Sequence, residues 1–186
     1  TRHTPLVFSV ENDDYFTTYS IVDERSASFF AIGLIEYLHS KGVKVQAGHC
    51  TGWGNVDGVT HTFNAMSGIS HRESSTALSA LINDEVCAEI IADGVHVSDE
   101  ILSLFFKSKP ADKIILISDA LPITYSDIKE TVFADSKIYY DGEKATSSSG
   151  TIAGSTILLD GIIKRLGCLG LFNPEFIENT YRYHNI

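Results

Sequence analysis

Apolar positions recur along this chain in two periods, one helical and one of the extended kind. Ser28–Ser40 sets Phe29, Ile32, Leu34, Ile35 and Leu38 on one stripe, which predicts an amphipathic helix with Gly42 at its C-terminal end. Val43–Ala47 alternates, and predicts a strand that delivers His49. Ser74–Leu81 returns to helical spacing, with Ala77, Leu78 and Leu81 facing inward. Glu85–Ala92 is nearly continuously apolar, the pattern of a strand buried on both faces. Ser98 suits the N-cap of a helix through Phe106, and Lys113–Ser118 is a second buried strand, ending at Asp119. Ile157–Leu166 and Pro174–Tyr183 predict two further helices. Strands alternating with helices predict a parallel α/β fold.

The rhythm breaks in two places. From Leu121 the pattern predicts a small β-hairpin insertion around residues 132–146, with Ile138-Tyr139-Tyr140 and Lys144-Ala145-Thr146 joined across Asp141-Gly142. Its tyrosines are read as hairpin surface. Between His49 and His61 the stretch Cys50–Asp57 has no helical pattern. Parallel neighbours need a crossover of about a dozen residues or more. The short spacing is therefore read as a sign that residues are missing between two strands, with a chain break expected near Cys50–Gly52. Residues 1–27 receive no assignment, and the chain is read as one domain without internal repeats.

Composition narrows the classes. The chain has 186 residues, 44% of them hydrophobic and 20% charged, so it can bury a substantial core. Its net charge of −10 argues against nucleic acid or an anionic membrane as a general partner, though a local arginine would still serve an anionic small substrate. Cys50, Cys87 and Cys168 lack zinc-finger spacing and are read as reduced thiols. No apolar run reaches membrane-spanning length and Thr1–Val10 lacks a signal-peptide layout, so the cytoplasm is the expected location.

Candidate chemistry gathers where predicted strands give way to loops. His49 and His61 each follow such a strand. Two neutral imidazoles from neighbouring strand ends are half of a divalent-metal site, although ordinary loop-edge histidines have the same spacing. Asp119 ends an apolar strand, where a carboxylate has no packing role. It is read either as a helix N-cap or loop salt bridge, or as a general base.

The blocks Thr60-His61-Thr62-Phe63-Asn64-Ala65-Met66, His71-Arg72-Glu73, Ile90-Ile91-Ala92-Asp93-Gly94-Val95-His96-Val97, Ile115-Leu116-Ile117-Ser118-Asp119-Ala120 and Gly150-Thr151-Ile152-Ala153-Gly154-Ser155-Thr156 occur in this order. Together they resemble the N-acetylglucosamine-6-phosphate deacetylases of the amidohydrolase superfamily, from about Ser28 to about Asn185. The resemblance implies the C-terminal part of a (β/α)₈ TIM-type barrel, a fold that takes about 250 residues when complete. It implies a divalent metal ion, zinc foremost, with iron, manganese or cobalt able to replace it. His49 and His61 would be ligands, and a third, glutamate ligand comes from a block this chain lacks. Glu11 lies in a context that does not match, so the third ligand has no assignment.

By the same resemblance Asp119 is the catalytic proton shuttle. Arg72, otherwise an exposed ion-pair residue, would reach a sugar phosphate from the neighbouring subunit of a homodimer. His96, otherwise a satisfied histidine beside a turn, would touch the substrate. Asn64 and Ala65 would approach it, and Ile152, Ala153 and Gly154 would line the sugar pocket. Met66 is read as packing. The implied reaction is hydrolysis of the acetamide of N-acetylglucosamine 6-phosphate to glucosamine 6-phosphate and acetate. The alternatives are another amidohydrolase, or a truncated, non-catalytic sugar-phosphate-binding remnant.

Overall fold

A computed structural model describes residues 33–48, 56–133 and 136–184, together with the backbone of strands β1 (Leu6–Asn12) and β2 (Tyr15–Ile21). Helix α1 occupies 33–40, and residues 28–32 of the predicted helix lie outside the described residues. Strands β3 (Val45–Gly48), β4 (Gly58–Val59), β5 (Cys87–Ile91) and β6 (Ile114–Ile117) follow, with helix α2 (Thr76–Ile82) before β5 and helix α3 (Asp99–Ser108) after it. The strands form one sheet in the order β2-β1-β3-β4-β5-β6. From β3 to β6 every pairing is parallel, as the strand–helix alternation predicts.

The N-terminal residues depart from expectation. Rather than unassigned chain, they supply the antiparallel pair β1–β2, and β1 pairs antiparallel with β3. The described strands thus make an open mixed sheet with β2 and β6 at its edges. In this register Val10 lies opposite Val45, so Glu11 falls beyond the N-terminal end of β3, away from the edge where Gly48 and His61 sit. β3 and β4 do pair as parallel neighbours, Gln46 opposite Gly58. The expected chain break lies outside the described residues, as do His49 and Cys50.

Side-chain alternation explains the core. On β5 and β6, Ala88, Ile90, Ile114 and Leu116 turn to one face and meet Leu81, Leu102, Phe105, Ile162, Leu166 and Phe176 from the helices. Ile91 and Ile115 on the other face are also fully buried, so both faces are covered, as the unbroken apolar pattern requires. Ser98 caps α3, accepting from Ile101 N–H at 3.4 Å, and Ser75 caps α2, accepting from Leu78 N–H at 3.2 Å.

After β6 the chain builds a second, antiparallel sheet in the order β10-β9-β8-β7, from β7 (Glu130–Phe133), β8 (Ser136–Tyr140), β9 (Ala145–Ser147) and β10 (Ile152–Gly154). The predicted hairpin is its β8–β9 pair, Tyr140 opposite Ala145. The Asp141 carboxylate closes the turn by accepting from the Glu143 and Lys144 N–H groups, each at 2.9 Å. Tyr139 is exposed as read, whereas Tyr140 packs on the small core of Leu121, Ile123, Ile138 and Ala145. The chain then returns to the first sheet: Ser155 bridges Ala120 in parallel, three residues past the end of β6. Helix α4 (Leu159–Cys168) follows, and helix α5 (Glu175–His184) passes the N-terminal ends of the parallel strands. There Asn179 donates to the Ala111 and Ile114 carbonyls at 2.7 and 2.8 Å, and Lys44 donates to the Tyr183 carbonyl. The opposite, C-terminal edge is where the candidate residues collect. Among the described residues, no helix is long and apolar enough to cross a membrane.

Candidate active site

Three neighbouring strands, β4, β5 and β6, end at one edge of the sheet and lead to His61, His96 and Asp119 respectively. In open parallel α/β sheets and in barrels, that C-terminal edge is where ligands bind. The backbone there is unusual. His61, Phe63 and Ala65 have φ of +33°, +80° and +53°, and Asp119 has φ of +50°. A left-handed conformation costs about 1–3 kcal/mol at a non-glycine residue and clusters at functional sites. Four such residues on two strand ends point to this edge independently of any motif.

Asp119 holds this conformation through its backbone. Its carbonyl accepts from Ser155 N–H at 2.8 Å, and the Leu121 N–H donates to the Ser155 carbonyl at 3.0 Å. Gly154 makes the approach possible. A Cβ there would stand 2.8 Å from the Asp119 carbonyl oxygen and 2.8 Å from Leu121 Cγ, and its φ of +157° disfavours any side chain. The Asp119 side chain is 50% exposed, so water and a substrate reach it.

His96 faces Asp119. Its Nε2 lies 4.0 Å from Asp119 Oδ2, and its other nitrogen, Nδ1, is 2.8 Å from Asp93 Oδ2. Asp93 sits in the turn after β5, where its Oδ1 accepts from the Val95 and His96 N–H groups, both at 2.9 Å. Burial works to raise its carboxyl. Hydrogen bonds from the His96 ring and from both backbone N–H groups outweigh burial and hold the carboxyl at about 2. Asp93 is therefore an anion at neutral pH, which commits Nδ1 as a donor and leaves Nε2 toward Asp119. From α4, Arg165 braces this turn by donating to the Ala92 carbonyl at 3.4 Å and pairing with Asp99.

The remaining candidates fall into place unevenly. Asn64 spends its amide on its own turn, donating from Nδ2 to the His61 and Thr62 carbonyls at 3.3 and 3.4 Å. Ala65 is exposed beside it, and Met66 packs on Val59, Ala80 and Val86. Arg72 stands on the exposed stretch before α2, and no ion pair engages it among the described residues. Ile152 and Ala153 are half-buried on β10, Ala153 against the small core. Two residues that bear on the site escaped the sequence reading. Asp93 was legible as an Asp-Gly-x-His turn, and Glu89 was hidden within an apolar strand.

Of the proposed metal ligands only His61 is described. Its ring approaches Gly48: a Cβ on Gly48 would lie 3.8 Å from His61 Nε2. Among the described residues no three His, Cys, Asp or Glu side chains gather closely enough to hold an ion. A catalytic zinc takes three protein ligands, so the described donors alone do not complete such a site. Cys87 and Cys168 are free thiols, and burial raises that of Cys87.

No protein-family model matches the chain. It is 30% identical over 161 residues to the N-acetylglucosamine-6-phosphate deacetylase of Bacillus subtilis, covering 86% of this chain and 35% of the relative. It is 28% identical over 145 residues to an N-acetylgalactosamine-6-phosphate deacetylase of Escherichia coli, covering 73% and 38%. Among solved structures, the N-acetylglucosamine-6-phosphate deacetylase of Thermotoga maritima superposes with a TM-score of 0.72 at 25% identity, covering 80% of this chain and 44% of that one. An aspartate-to-alanine variant of the Mycobacterium smegmatis enzyme, in complex with N-acetyl-D-glucosamine-6-phosphate, gives 0.70 at 26% identity, covering 78% and 40%. The chain thus spans from 35% to 44% of the length of these relatives.

Proposed function

We propose that this chain, a relative of the amino-sugar 6-phosphate deacetylases in sequence and fold, carries the proton-transfer half of a deacetylase site. Its reaction would be hydrolysis of the acetamide of N-acetylglucosamine 6-phosphate to glucosamine 6-phosphate and acetate. The observation that carries this reading is the line Asp93–His96–Asp119. It presents a water-accessible carboxylate, held in strained backbone, beside an imidazole whose tautomer a buried anion fixes.

The chemistry follows from these groups. A water molecule attacks the acetamide carbonyl carbon, and the Asp119 carboxylate takes its proton. The carbon–nitrogen bond then breaks, and the same proton passes from Asp119 to the departing amine. Acetate and the free amino sugar leave. A carboxylate that first accepts and then returns one proton needs no other acid, and general acid–base catalysis of this kind contributes about 10²–10⁴-fold. His96 Nε2, beside Asp119, is placed to touch substrate in the same mouth.

The rest of the reading extends the resemblance. The parallel strands are part of a TIM-type barrel, and the small antiparallel sheet is an insertion at its mouth. A divalent ion, zinc foremost, binds through His49 and His61. Arg72 grips the phosphate across a homodimer, and the protein works in the cytoplasm. The fork of guanidinium donors matches phosphate oxygens, which suits the unpaired setting of Arg72. Relatives named for the galactosamine epimer leave that sugar as the second substrate to test.

The test is acetate release by the purified protein from both phosphorylated epimers and from unphosphorylated N-acetylglucosamine, with metal content measured on the same sample. Turnover of a phosphorylated epimer is expected, with the unphosphorylated sugar weaker by at least about tenfold in kcat/KM. Tight binding of the phosphorylated sugars without any acetate would instead identify a sugar-phosphate-binding remnant.

A further inference from the structure

We infer that Glu89 is a positioning residue that clamps the segment carrying His61 from both sides, an inference that rests on the deacetylase reading for what the clamp serves. Glu89 lies in the middle of β5 and is 7% exposed, between Ala88 and Ile90, which are fully buried. No ion pair engages it among the described residues. A buried carboxylate without a cation persists only when its oxygens are hydrogen-bonded. Its Oε1 accepts from Gln46 Nε2 at 2.9 Å, and its Oε2 accepts from the Thr60 hydroxyl at 2.5 Å. Its backbone carbonyl accepts from Thr62 N–H at 2.8 Å.

Thr60 and Thr62 are the two residues that flank His61. One residue of the neighbouring strand therefore holds the chain on both sides of a histidine in left-handed backbone. The Thr60 bond has the length of a charge-assisted O–H···O⁻ contact, roughly twice as strong as a neutral one. Thr60 is seated from below as well: a Cβ on Gly48 would lie 2.4 Å from Thr60 Cγ2, so only glycine fits there. The Thr60 N–H meanwhile donates to the Ala47 carbonyl at 3.0 Å. An ordinary core residue at position 89 would fill the same volume with an apolar side chain. The carboxylate adds a fixed anchor for Thr60 and, through it, a fixed direction for the imidazole.

The experiment combines hydrogen–deuterium exchange over residues 60–65 with steady-state kinetics on the full protein. Thr60→Val keeps shape and removes the hydroxyl. It should speed exchange in 60–65, leave α3 unchanged, and lower kcat by about tenfold or more, with KM within about threefold. Thr60→Ser should restore both readouts. Glu89→Gln, nearly isosteric, should move both in the same direction by less, and it carries the test should Thr60→Val fail to fold. Exchange and kcat like those of the wild type in Thr60→Val or Glu89→Gln would overturn the clamp. Exchange needs no turnover, so an inactive protein with faster exchange in Thr60→Val would defeat the deacetylase reading and leave the clamp standing.

Discussion

At the scale of single residues, the site is a matter of which groups hold which. Asp93 is the clearest case. Its folded carboxyl sits at about 2, below the unfolded value near 3.9, so it stabilises the fold above that value and loses the contribution as pH falls through about 2. The difference corresponds to about 2–3 kcal/mol. Asp93→Asn should therefore cost about that much at neutral pH, with the gap to wild type closing as urea titrations move from about pH 5 to below 2. The same variant frees the His96 ring to take the other tautomer. It should lower kcat, as read by acetate release. Gly154→Ala tests the other support of Asp119. Its Cβ would meet the Asp119 carbonyl at 2.8 Å, so turnover should fall by at least about tenfold through misplacement, in a protein whose circular dichroism is unchanged. A Gly154→Ala protein as active as wild type would show that the close approach does not hold Asp119 in place.

At the scale of elements, the sequence was legible wherever an element buries a continuous stripe. Helices α2 to α5 and strands β5 and β6 lie within two residues of their predicted bounds, because their periodicity is imposed by one shared core. β4 was not legible, since two residues carry no period. The β1–β2 pair was missed because Tyr15–Ile21 mixes β-prone aromatics with Thr and Ser and shows no strict alternation. Asp119 could be picked out because a carboxylate after an apolar strand stands out, and His61 because it lies in the Thr60-His61-Thr62-Phe63-Asn64-Ala65-Met66 block. Glu89 could not, since its role depends on partners in neighbouring strands, and Asp93 showed only as the first residue of an Asp-Gly-x-His turn. Lys109 is a further case of tertiary context. Buried at the end of α3, it donates through Nζ to the Ala80 and Asn83 carbonyls at 2.8 and 2.6 Å, closing the C-terminal end of α2. Burial lowers its ammonium to about 8. Lys109→Met should cost about 1–3 kcal/mol in urea denaturation by leaving those carbonyls unpaired. A loss below about 0.5 kcal/mol would mean that water replaces the lysine there.

At the scale of the whole molecule, the parallel sheet divides labour between its two ends. α5 closes the N-terminal end through Asn179 and Tyr183, while the C-terminal edge keeps strained backbone and half-exposed polar groups. Stability and chemistry are thereby separated, and substitutions at the first end should alter melting without altering the pH dependence of turnover. The most direct test of the account is the steady-state rate of acetate release from N-acetylglucosamine 6-phosphate, wild type beside Asp119→Asn. Asparagine keeps the size of the side chain and one acceptor, but removes the basic carboxylate. The account predicts that kcat falls by about 10²–10⁴-fold, with KM and metal content little changed. A helix cap would tolerate the same change, because Asn caps as well as Asp. Turnover in Asp119→Asn equal to that of the wild type would contradict the proton-shuttle mechanism outright.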